Sequence, residues 1–204
     1  MTVPTASAFP KWGGVLAVIL WACTDTKSAA DVGASAQDFT ARDTNGNTFR
    51  LSDHIGKEVI LIDFWATWCV PCLAEMPHLE RMWEQYRSRG FLVVAVSMDG
   101  PEQLADVPAF AKRNQMNFTV LTDEDSSIAG IYNPRKSAPL SAIIDKQGHI
   151  SAVREGYNAG DEAYVEKDVL KALGGTPTPT TSAAPPPTAT ATTTPEPPPT
   201  TKSN

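Results

Sequence analysis

Trp68-Cys69-Val70-Pro71-Cys72 sets two thiols three positions apart. An apolar segment ends just before this run and a helical pattern begins within it, which puts Cys69 at a helix N-cap and Cys72 at N3. Unpaired backbone N–H groups and the positive end of the helix dipole stabilise a thiolate at Cys69, lowering its pKa from the free value of about 8.5. Pro71 suits the first turn, where its missing N–H would have had no partner. A fall to about 7 raises the thiolate fraction at neutral pH roughly sixteenfold, and weaker intrinsic nucleophilicity takes back about fivefold. The larger advantage is the second thiol, which can resolve a mixed disulfide intramolecularly at high effective concentration. The chemistry suited to this arrangement is thiol-disulfide exchange.

Two blander uses of the pair fare worse. A structural disulfide across so short a loop gains little chain-entropy stabilisation. A metal pair lacks its other ligands: His78 stands six residues beyond Cys72, about 240° around a helix, and His54 and His149 have no partner pattern. No histidine follows Cys72, so the haem-attachment pattern is absent. We expect neither a metal nor a bound cofactor.

The elements that must position the thiols can be read on either side. Val59–Phe64 is apolar on both alternating faces except at Asp63, as expected of a central strand covered on both sides. From Cys72 to Arg89, Leu73, Met76, Leu79, Trp83 and Tyr86 recur at helical steps, and Gly90 ends the pattern. Upstream, Asn45-Gly46 marks a small hairpin. Downstream come a buried strand at Phe91–Met98, a helix within Glu102–Asn114 and a short strand near Phe118–Leu121. An antiparallel hairpin turning at Gln147-Gly148 and a last amphipathic helix, Ala163–Leu173, complete the pattern. This order predicts an α/β domain with a central mixed sheet flanked by helices and an N-terminal hairpin extension.

Desolvation of a carboxyl at Asp63 should raise its pKa toward neutrality and let it hold or accept a proton. Trp65 and Trp83 read as core, and Glu75 and His78 as solvated. Pro77 removes the hydrogen bond to the Leu73 carbonyl and is expected to kink its helix. Asn117-Phe118-Thr119 is a glycosylation sequon by type, read as accidental because it falls in a predicted strand.

The ends of the 204-residue chain differ from its middle. Lys11 precedes an eleven-residue apolar stretch, Trp12 to Ala22, which as a helix spans about 16 Å against a hydrocarbon core of about 30 Å. It reads as an export signal. Leu20-Trp21-Ala22-Cys23 resembles a bacterial lipobox, with Trp21 out of pattern, so lipidation at Cys23, a cleaved signal and an uncleaved anchor all stay open. Each puts the domain outside the cytoplasm, in the bacterial cell envelope on the periplasmic side. Residues 24–36 read as a flexible tether and 37–174 as the folded domain. Residues 175–204 hold nine of the 17 prolines and eleven threonines, the composition of a disordered spacer. With 23 acidic against 17 basic residues, the net charge of −6 argues against nucleic-acid binding.

The run Leu61 to Cys72, LIDFWATWCVPC, resembles the active-site segment of the thioredoxin superfamily. Over residues 37–174 the chain is similar to the membrane-tethered TlpA/ResA-like redoxins, with the upstream hairpin, Pro77 and the APLSAIIDKQG segment in family order. The resemblance implies a thioredoxin-like fold, with Cys69 as the attacking, more exposed cysteine, Cys72 as the resolving one, and Val70 and Pro71 as motif residues. It implies that Pro139 is a cis-proline facing the cysteines, that Ala138 offers backbone groups to a substrate strand, and that Trp68 shapes access. Asp63 matches the buried acid of thioredoxin, which implies a proton-shuttle role, against the alternative of a water-satisfied structural carboxylate. The expected activity is reduction of disulfides in envelope proteins such as apocytochrome c by a monomer drawing electrons from a membrane thiol reductase. A disulfide oxidase or isomerase and a copper-handling module on the same fold are the rivals. A peroxidatic peroxiredoxin is disfavoured because the proline-threonine-cysteine arrangement is absent.

Overall fold

Every residue of Val59–Trp65 is buried, and this strand, β3, runs through the middle of the domain. The structure, a computed structural model, describes residues 31–174. The expected signal with Cys23, the tether up to residue 30 and the Pro/Thr-rich tail lie outside the described residues. A small antiparallel pair, β1 (Thr40–Arg42) and β2 (Thr48–Arg50), is joined by residues 43–47, a longer loop than the two-residue turn of the sequence signal, in which Gly46 takes a φ of +85°. The main sheet comprises β3, β4 (Phe91–Ser97), β5 (Thr119–Thr122), β6 (Leu140–Ile144) and β7 (Ile150–Glu155), in the order β5-β4-β3-β6-β7. β4 and β5 add in parallel on one side of β3, and β6 and β7 add antiparallel on the other.

The long helix α1 (Val70–Tyr86) joins β3 to β4, and a 3-10 turn at Arg87–Arg89 leads to Gly90 in the left-handed region. Helix α5 (Glu162–Ala172) closes the described chain. Leu61 and Trp65 of β3 pack with Met76, Leu79 and Met82 of α1 and Val165 and Val169 of α5. On the opposite face Ile60, Ile62 and Phe64 pack with Phe39 and Phe49 of the hairpin region. The expected α/β layering is therefore present, with Trp65 fully buried and Trp83 only partly so.

Three details depart from the sequence reading. The helix expected within Glu102–Asn114 is two, α2 (Pro101–Leu104) and α3 (Val107–Arg113). Pro108 explains the break, since in one continuous helix its ring would clash with the Leu104 carbonyl four residues back. A further helix, α4 (Ser127–Tyr132), has too few residues for periodicity to reveal. Residues 33–36, assigned to the tether, instead pair with the start of β7 through Gly33 N–H to Ile150 O, Ile150 N–H to Ala34 O and Ala36 N–H to Gly148 O. The folded unit thus begins before Gln37, because an otherwise open sheet edge takes up the backbone groups of this segment.

Candidate active site

β3 delivers its C-terminal end to a short loop, Ala66–Trp68, and Cys69 caps the helix that follows. The Cys69 sulfur accepts a hydrogen bond from Cys72 N–H at 3.3 Å, filling the place that a serine or aspartate oxygen occupies at an ordinary N-cap. Pro71 sits in the first turn, as expected, and the two cysteines are joined in a disulfide. Both are buried, Cys72 fully and Cys69 almost so. Around them the surface is apolar: Trp68 is 65% and Val70 76% exposed. Pro77 is carried within α1 without interrupting it.

The loop is held from behind by a residue the sequence reading passed over. Asp99, buried just beyond β4, accepts hydrogen bonds from Thr67 N–H, from the Thr67 hydroxyl at 2.6 Å and from the Ser97 hydroxyl at 2.8 Å. Met98 N–H donates to the Trp65 carbonyl at 2.8 Å. A second loop arrives from the other side of β3. Pairing of Phe64 with Leu140 sets Ala138 and Pro139 beside the end of β3, with the Ala138–Pro139 peptide cis. Ala138 packs against the cluster containing both cysteines, and Pro139 O accepts from Gly156 N–H at 2.8 Å.

Beneath α1, Asp63 lies between Leu61 and Trp65 on the face of β3 whose apolar cluster includes Cys72. It is fully buried, and burial pushes its pKa up to about 7, partly opposed by the hydrogen bond that the Ser141 hydroxyl donates to Oδ1 at 2.9 Å. Glu75 corrects an expectation. Rather than solvated, it is 2% exposed, and its pKa rises to about 9, first through burial and then through the charges of Asp63, Asp161 and Glu162. Neither Asp63 Oδ2 nor Glu75 Oε2 meets a hydrogen-bond donor among the described residues. His78 is half-buried rather than solvated, with Nδ1 accepting from Arg81. The Asn117 side chain of the sequon donates to Glu80 and to the Gln115 carbonyl.

The sequence profile of the AhpC/TSA family matches residues 32–153, more than half of the chain. The chain belongs to the AhpC/TSA family. It is 35% identical over 130 residues to the thiol-disulfide oxidoreductase ResA of Geobacillus kaustophilus, a match covering 64% of this chain and 72% of that protein. Against ResA of Bacillus subtilis it is also 35% identical over 130 residues, covering 64% and 70%. A solved structure described as the thiol:disulfide interchange protein DsbE of Chlorobium tepidum superposes with a TM-score of 0.65 at 34% identity, covering 71% of this chain and 99% of that one. This AhpC/TSA-family member is accordingly a thiol-disulfide oxidoreductase with a thioredoxin-like fold, as its resemblance to the TlpA/ResA-like redoxins implied.

Signals for the two residues missed in the oxidoreductase differ in kind. Glu75 falls three residues after Cys72 and four before Leu79, within the apolar stripe of α1 itself, so its spacing was readable. Asp99 is 32 residues from Thr67, and its partner emerges only when β3 and β4 pair.

Proposed function

We propose that the protein reduces disulfides of other proteins outside the cytoplasm, with Cys69 as nucleophile and Cys72 as resolving thiol. The Cys69 thiolate attacks a substrate disulfide, forming a mixed disulfide and releasing one substrate thiolate. Cys72 then gives up its proton to the Asp63 carboxylate beneath α1, and its thiolate attacks Cys69 Sγ. That closes the Cys69–Cys72 disulfide and releases the second substrate thiolate, so two electrons pass from the dithiol to the substrate. A thiol donor, proposed to be a membrane reductase, returns them. Trp68 and Val70 form the apolar rim on which a substrate rests, and Ala138 and Pro139 present the backbone edge to which its strand pairs.

The observation that carries the reductive direction is the buried carboxyl pair. A strong oxidant needs a reduced form stabilised as a thiolate. Here the same burial that raises both carboxyls, with Asp63 Oδ2 and Glu75 Oε2 meeting no donor among the described residues, opposes further negative charge behind Cys72 and withholds that stabilisation. The envelope location, with Cys23 as a lipid attachment point, rests on the Lys11-led apolar stretch and the lipobox-like Leu20–Cys23. Apocytochrome c is one candidate substrate there, by family analogy.

Equilibration of the Cys69–Cys72 pair with dithiothreitol buffers tests the direction. A potential at or below about −250 mV is expected, whereas one between about −180 and −120 mV would make the protein an oxidant or isomerase.

A further inference from the structure

The loop that carries Ala138 and Pro139 is clamped by one buried side chain. Asn133, at the end of α4, has no exposed surface. Its Oδ1 accepts from Ser137 N–H at 2.9 Å and its Nδ2 donates to Ser137 O at 2.7 Å, so the carboxamide pairs with both backbone groups of one residue. Its own carbonyl accepts from Lys136 N–H at 2.8 Å. The loop so closed holds Lys136 at φ +53°, left-handed backbone that a residue with a side chain avoids unless its surroundings impose it. The next residue after the clamp is Ala138, and no hydrogen bond within the described residues engages its N–H or C=O.

The clamp also reaches the cysteine loop. Nδ2 lies 3.4 Å from Met98 Sδ, and Met98 N–H bonds the Trp65 carbonyl. Asn133 therefore stands between the two loops that flank the disulfide. The other side-chain ties on its loop, Ser137 and Arg135 to Glu155 and Lys136 to Ser126, are exposed to water, where such contacts contribute little.

We propose that Asn133 is the positioning residue of the substrate edge: by pairing with both backbone groups of Ser137 it fixes the free N–H and C=O of Ala138 at the spacing from Cys69 that an incoming strand requires. The inference rests on the reading that substrates pair with that edge. Its signature is selective. Loosening Ser137 weakens attack on disulfides within a polypeptide strand and spares attack on a small disulfide with no strand to dock. Asn133→Asp is the sharp variant, since it is nearly isosteric and keeps the acceptor for Ser137 N–H, but replaces the donor with an oxygen facing the Ser137 carbonyl. Asn133→Ser removes both contacts without adding charge.

The full chain, pre-reduced, is mixed with a synthetic peptide bearing a Cys-Xaa-Xaa-Cys disulfide or with bis(2-hydroxyethyl) disulfide, and second-order rate constants are read from oxidation of the Cys69–Cys72 pair, the protein being acid-quenched, alkylated and resolved by mass. Both variants should slow the peptide reaction at least tenfold and leave the small-disulfide reaction and the equilibrium potential within twofold of the parent. Equal slowing with both oxidants, as a damaged fold would give, overturns the inference in favour of a general structural role, and so does an unchanged peptide rate. If the parent protein itself does not prefer the peptide, the strand-pairing reading fails and the inference falls with it; a parental preference kept by both variants sinks the inference alone.

Discussion

Asp99 holds Thr67 by two donors at once, the backbone N–H and the hydroxyl, two residues before the cysteine that caps α1. Buried hydrogen bonds to a carboxylate contribute about 1.5 to 3 kcal/mol, more than neutral ones. Thr67→Val removes the hydroxyl contact and should cost about 1 to 2 kcal/mol in urea denaturation. Asp99→Asn leaves too few acceptor sites for Thr67 and Ser97 together and should cost a similar amount. Because the residues share one network, the double variant should fall short of the summed effects by at least about 0.5 kcal/mol. Full additivity would mean that the two act independently.

Asp63 and Glu75 make a pH prediction with a definite sign. Both have folded-state pKa values above the unfolded ones, to about 7 and about 9. Raised acids bind protons more tightly when folded, so the stability tied to their protonated form is complete below the unfolded values near pH 4 and is lost as pH rises through 7 and 9. Asp63→Asn removes one of these acids. It should leave stability near the parent's at pH 4 and raise it relative to the parent at pH 8, with about 4 kcal/mol as the ceiling for a shift of about three units. Denaturant titrations at the two pH values measure this. A variant no more stable than the parent at pH 8 would contradict it. The same change should slow resolution of the Cys69 mixed disulfide, so stability and turnover should move in opposite directions.

Legibility in the sequence tracked the range of the interactions. β3 declares itself because it is apolar on both faces, and α1 because its buried residues recur at helical steps. Asp63 stands out as the one charge in an apolar strand, and Pro71 and Gly90 mark backbone conformations that are local. Glu75 was misread because an isolated glutamate on a helix is ordinarily solvated, and only its place within the apolar stripe signals otherwise. Asp99 and Asn133 carry no such local mark. Each is a polar residue just past an element's end, and each becomes a clamp only when β3, β4 and β6 bring their loops together. Helix α4 owes its position to the Asp123 carboxylate, which accepts from Ile128 N–H and Ala129 N–H, a capping contact made from outside the helix.

Gly90 gives a test of the turn between α1 and β4. Its φ is +82°, and an added Cβ would lie 3.3 Å from the Lys57 carbonyl oxygen. Gly46 has a similar φ of +85° with nothing within 4 Å of the same position. Both alanine variants incur the left-handed penalty of about 1 to 2 kcal/mol, and Gly90→Ala bears the close contact in addition. Gly90→Ala should therefore be the less stable of the two by urea denaturation. The reverse order would mean that the Lys57 carbonyl yields without cost.

Trp68 separates binding from folding. Its ring is mostly exposed and stands beside Cys69, so removing it takes little from the core. Trp68→Ala should change stability by no more than about 0.5 kcal/mol, as for surface substitutions generally. A ring that packs against a bound polypeptide buries a large apolar area there, and losing such an anchor commonly costs about 1 to 2 kcal/mol of binding. With a peptide disulfide, KM should rise about tenfold while kcat stays within about threefold, because the thiols and the carboxyls behind them are untouched. Steady-state kinetics with dithiothreitol as donor gives both constants. A fall in kcat at constant KM would assign the ring to the chemical step, by holding the Cys69 loop, and would remove it from the docking surface.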